Sequence, residues 1–97
     1  MIYDKKKRHI NEIRAEIIDE KRKPLNRKVF GKKVFPDVSY NSFRGWFHPP
    51  IHLSDERLLI MENHLGITQN DIEQVLKKKH GLSCKQAVKL FGVKFPN

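Results

Sequence analysis

A chain of 97 residues makes one domain with a small core and marginal stability. Its 20 Lys and Arg outweigh 11 Asp and Glu, a formal charge of +9 that favours an anionic partner: nucleic acid first, then a membrane surface or an acidic protein. The single cysteine, Cys84, excludes a disulfide framework and an all-cysteine zinc site, and no apolar run nears the roughly 20 residues that span a bilayer. The start MIYDKKKRH is basic but lacks the apolar stretch of a signal peptide, so no membrane insertion and a cytoplasmic location are expected.

Residues 1–8 read as a basic arm carrying Lys5, Lys6, Lys7 and Arg8. Ile10, Ile13 and Ile17 then recur at helical spacing and predict a helix from Asp4 or His9 to Lys21, which Pro24 prevents from continuing. Leu25, Val29, Phe30, Val34 and Phe35 predict a short helix from Asn26 to Val34, ended by Pro36. Gly31 weakens it, which marks either a poor helix or a place where another backbone crosses closely.

The stretch SYNSFRGWFHPP predicts a third helix over 39–48, with Ser39 as N-cap and Pro49 and Pro50 as its end. Phe43, Trp46 and Phe47 stand at i, i+3 and i+4 and form one face. Tyr40 and Arg44 share one edge of the outer side, Asn41 takes the other, and Gly45 removes bulk between them. Ser54-Asp55-Glu56 starts the next helix, Leu58, Leu59, Met61 and Leu65 follow, and Gly66 is a natural stop. Thr68 and Asp71 have capping-box spacing ahead of Ile72, Val75 and Leu76, and Gly81 closes that helix behind Lys77, Lys78 and Lys79. Ser83 and Gln86 repeat the box before Ala87, Leu90 and Phe91. Nothing alternates long enough to demand a strand, so the expected architecture is all-α, a small bundle of five or six helices.

Catalytic chemistry has little to stand on. His48 and His52 are separated by Pro49 and Pro50, no HExxH pattern exists, and neither phosphate-binding glycine loop is present. Glu56, Glu62 and Glu73 read as surface residues. No catalytic residue, metal or cofactor is expected, and the chain does not read as an enzyme. Basic residues are concentrated instead before helix one, at its end, in helix two (Arg27, Lys28, Lys32, Lys33) and at Arg44 of helix three. On one face they would form an electrostatic footprint for phosphates; the bland reading is a solvated surface.

Residues from about 10 to 76 resemble the phage repressor/Cro-type helix-turn-helix family, the lambda-repressor-like domains. Phe30-Gly31 stands where that family has a Leu-Ala pair, Val34 at its later apolar position, and Val38-Ser39 at the start of its recognition helix. Phe43-Arg44-Gly45-Trp46 matches Ile-x-x-Trp, and Leu65-Gly66-Ile67-Thr68 with Asp71-Ile72 matches the closing Leu-Gly-Val-Ser and Asp-Glu-Leu. The turn FPDVS is longer than the family's Gly-Val-Ser, with Phe35 and Pro36 in place of the usual glycine.

The resemblance implies a helix-turn-helix domain over 9–80 and sequence-specific binding of double-stranded DNA by a small transcriptional regulator from a phage or mobile element. Helix 39–48 would lie in the major groove. Tyr40, Asn41, Ser42 and Arg44 would contact bases, with Asn reading adenine and Arg reading guanine. Lys5, Lys6, Lys7, Arg8, Arg27, Lys28, Lys32 and Lys33 would contact phosphates. The arm would wrap the duplex or enter a minor groove, and Phe43 and Trp46 would anchor the recognition helix in the core. Residues 81–97 would add a C-terminal helix and tail. There Leu90, Phe91, Val93 and Phe95 form either a homodimer surface or a plug for the chain's own core. Two other readings stay open: a protein-interaction module or antirepressor of the same fold with a protein partner, and a nonspecific nucleic-acid binder.

Overall fold

The computed structural model describes residues 2–48 and 53–96. Within them the chain forms six helices and no strand: α1 (Ile2–Lys21), α2 (Arg27–Val34), α3 (Tyr40–Trp46), α4 (Asp55–Leu65), α5 (Gln69–His80) and α6 (Cys84–Phe91). The all-α expectation holds. None of these helices is long and apolar enough to cross a membrane.

The short helices begin where side chains can replace missing backbone partners. Asn26, Ser39, Ser54, Thr68 and Ser83 each accept a hydrogen bond from the backbone N–H three residues on. A cap of this kind contributes about 1 kcal/mol. Thr68 with Asp71 and Ser83 with Gln86 close full capping boxes. The backbone N–H and hydroxyl of Thr68 hold the Asp71 carboxyl below its usual range. The α4 helix stops at Gly66, whose φ of 71° is left-handed and suits a residue without a Cβ.

The first helix differs from expectation. It begins at Ile2, so the basic residues before His9 are its opening turns and not a separate arm. From there α1 acts as the spine, packing against α4, α5 and α6. Ile10, Ile13 and Ile18 meet Leu58, Met61, Ile72, Leu76, Cys84 and Ala87 in one buried cluster, closed at its edges by Leu53, Ile67 and Val93. Val93 is 1% exposed and Phe95 packs on the cluster, so these two contribute to the chain's own core. Phe91 is half-buried and packs on the cluster too, while Leu90 is 52% exposed. Residues 81–96 therefore belong to the same core as the rest. Cys84 is buried there, and burial pushes its thiol up to about 11, leaving an unreactive group.

An ion pair lies inside this core. Arg14 is 0% exposed and Glu62 is 0% exposed. The Arg14 Nε donates to Glu62 Oε2 at 2.8 Å and its Nη2 donates to Oε1. Its Nη1 lies 3.9 Å from Asp55 Oδ1, and its guanidinium sits 4.9 Å from the Phe95 ring centre. Nearby, Asn11 Nδ2 donates to the Leu53 carbonyl at 3.3 Å. Glu62 is thus no surface residue. It lies four positions after Leu58 on the α4 stripe that faces α1, and Arg14 lies midway between Ile10 and Ile18 on the facing stripe.

The remaining two helices form a lobe. The α2 and α3 helices pack on each other, and α2 also rests on α4. Phe30 and Phe43 are fully buried at their junction.

Candidate nucleic-acid interface

What orients α3 is a lattice of rings. Phe43 lies 6.2 Å from Phe30, 6.2 Å from Phe35, 5.6 Å from Trp46 and 5.2 Å from Phe47, centre to centre. Offset and edge-on pairs at such distances are favourable beyond their buried area. Gly31 makes room for this arrangement: a Cβ there would stand 2.8 Å from Phe43 Cδ2. The close approach foreshadowed by that glycine is a side chain, not a backbone. Gly45 plays no such part, since a Cβ there would meet nothing within 4 Å.

Phe43 is in the core as expected, 1% exposed. Trp46 is only half-buried, held edge-on by Phe35 at 5.3 Å and covered by the Arg57 guanidinium at 4.1 Å. Arg57 had no local signal in the sequence; it reaches α3 from the next helix. With the rings fixed inward, the opposite side of α3 is open. Tyr40, Asn41, Ser42 and Arg44 are all exposed. The Arg44 guanidinium lies 5.9 Å from the Tyr40 ring centre, so these two form one edge. The Ser42 hydroxyl accepts a hydrogen bond from the Ser39 hydroxyl at 3.0 Å and belongs to the cap.

The cations sort into two kinds. Several are held by acids. Arg27 Nε and Nη2 donate to the two Asp19 oxygens at 3.0 and 2.9 Å, and its guanidinium lies 5.0 Å from the Phe47 ring. Burial pulls the Asp19 carboxyl upward, but Arg27 and Arg22 together hold it below its ordinary value of 3.8, so it stays charged at neutral pH. Arg27 therefore ties α2 to the end of α1 and is not a free phosphate contact. Lys7 pairs with Asp55 at 3.5 Å. Others are unheld: among the described residues no acid pairs with Lys28, Lys32, Lys33 or Arg44, all exposed. From Pro24 to Leu53 the sequence has a single acid, Asp37.

Lys5 and Arg8 are exposed on the opening turns of α1, and the Lys6 side chain lies outside the described residues. Lys7 is separated from Asp19, where α2 is tied, by twelve residues of helix, about 18 Å. The basic start of α1 is therefore distant from the start of α2. Pro49, Pro50 and His52 lie outside the described residues.

In the crook of α2 and α3 is a concavity of about 250 Å³, lined by Lys28, Gly31, Lys32, Pro36, Val38, Tyr40 and Phe43. The turn between α2 and α3 contributes Pro36 and Val38 to this lining and is tightened by the Val38 N–H donating to the Phe35 carbonyl at 3.1 Å. Comparison with protein-family models, with curated proteins and with solved structures returns no match.

Proposed function

We propose that the protein binds double-stranded DNA through its α2–α3 face as a small helix-turn-helix regulator, with the outer edge of α3 in the major groove. The observation that carries this reading is the separation of cations. Arg14, Arg22 and Arg27 are engaged by acids, whereas Lys28, Lys32, Lys33 and Arg44 are exposed on adjoining helices without an acidic partner. Such a face attracts phosphates by releasing counterions. Arg44 and Asn41 supply the side chains that pair with guanine and adenine edges, and the ring lattice beneath gives them a rigid support.

Selection from a random duplex pool tests it. A recovered motif bound at least about a thousandfold more tightly than random duplex supports sequence-specific readout. Salt-sensitive binding without a motif supports a nonspecific binder instead. Arg44→Gln is expected to relax preference at one base position, by about 1–3 kcal/mol, while Lys32→Gln weakens all sequences about equally. Equal effects of the two changes across sequences would count against direct readout.

A further inference from the structure

We infer that the α2–α3 concavity receives one unpaired nucleobase, with its flanking phosphates on Lys28 and Lys32, so that DNA carrying an extrahelical nucleotide is bound more tightly than perfect duplex. The inference rests on the proposed DNA-binding reading and adds a preferred form of the ligand.

The concavity, about 250 Å³, falls below the roughly 300–1,000 Å³ of sites for drug-sized molecules and suits a single ring system. Gly31 and Phe43, both buried, line it together with Pro36, Val38 and Tyr40. Its exposed aromatic ring is Tyr40, the kind of surface on which unstacked bases rest. Two cations, Lys28 and Lys32, also line it. Lys28 and Lys32 stand four residues apart on α2, about 6 Å along its axis. Each carries its ammonium on a flexible four-carbon stem, so the two can reach separate phosphates. A nucleotide brings the flat apolar body and the flanking negative charge together in one unit. Tyr40 is 39% exposed and lines the concavity while its ring centre lies 5.9 Å from the Arg44 guanidinium, so an occupant stacked on it would share the ring with that cation.

A perfect duplex must unpair and unstack a base to fill the concavity, at a cost of a few kcal/mol. A bulged nucleotide has already left the stack. The test compares three duplexes of one sequence: fully paired, with a single-nucleotide bulge, and with an abasic residue at that bulge. The bulged duplex is expected to bind about tenfold more tightly than the other two, the scale of one base–aromatic stack. Tyr40→Leu is expected to collapse that ratio, with a thermal melt by circular dichroism confirming the fold. Lys28→Gln with Lys32→Gln is expected to weaken all three.

If the abasic bulge binds as well as the intact one, the protein senses DNA flexibility and the inference fails. Equal binding of all three duplexes also overturns it, while leaving the DNA-binding reading in place. Absence of binding to any of them at low salt overturns both. Displacement of the bulged duplex by a Glu-rich peptide bearing one tyrosine, at lower concentration than by the bulge itself, assigns the concavity to a protein partner and overturns the inference.

Discussion

Arg14→Met is expected to destabilise the fold by about 3–5 kcal/mol, the cost of leaving a buried charge without its partner. A domain of this size has about 5–15 kcal/mol in total, so the melting temperature should fall by at least roughly 12 °C. The loss comes from Glu62, which would keep a carboxyl in the core between α1 and α4 with no guanidinium to face it. The pair itself is not a strong net stabiliser. Burial, with a smaller push from Asp55, holds the Glu62 carboxyl above its ordinary value of 4.5 despite Arg14, and taking two charges out of water offsets much of their attraction. Two further outcomes follow. Combining Arg14→Met with Glu62→Leu should recover the loss or exceed wild type, because well-packed apolar replacements of buried pairs are neutral or stabilising by about 1–4 kcal/mol.

The pH dependence has a definite sign. A carboxyl whose folded pKa is raised contributes stability below its unfolded pKa and loses it as pH rises through the folded value. With Arg14 gone the carboxyl rises further, so the single variant should be less impaired near pH 4.5 than at pH 7 relative to wild type. Denaturant melts at both pH values check this, and an equal deficit at the two would contradict it.

Phe43→Ala is expected to cost about 3–5 kcal/mol as well, by removing a buried ring and leaving a cavity. Here the damage is local to the lobe. Phe43 touches Phe30, Phe35, Trp46 and Phe47, so its loss releases α3 from α2 while the α1–α4–α5–α6 core keeps its own contacts. Amide exchange should therefore accelerate most in α2 and α3. Uniform acceleration through α1 and α5 would show that the lobe is not a separable unit. Under the proposed function, the same variant should lose DNA binding more than it loses helix content.

The helix starts were legible because each depends on a side chain and a backbone N–H three residues apart. Ser39, Thr68 and Ser83 could be assigned without any tertiary information. Phe43 was legible for a similar reason, since i, i+3, i+4 spacing defines a face. Arg14 and Glu62 were hidden by their polarity, although Ile10–Arg14–Ile18 spacing already placed the arginine on an apolar stripe. Arg27 looked like a free cation because Asp19 lies eight residues away across the turn at Pro24. Gly31 was conspicuous in sequence, but its cause, the Phe43 ring, comes from another helix. The same holds for the concavity, which needs both helices and the turn between them.

The most direct measurement is the salt dependence of DNA binding for two charge-matched variants. One replaces Lys28, Lys32 and Lys33 of α2 with Gln; the other replaces the exposed Lys78, Lys85 and Lys89 of α5 and α6. If α2 and α3 face the phosphates, the slope of log K against log salt falls by about 2.7 in the first variant, roughly 0.9 per lost contact, and stays at the wild-type value in the second. An equal change in both variants, or none in the first, would contradict the assignment of this face to DNA.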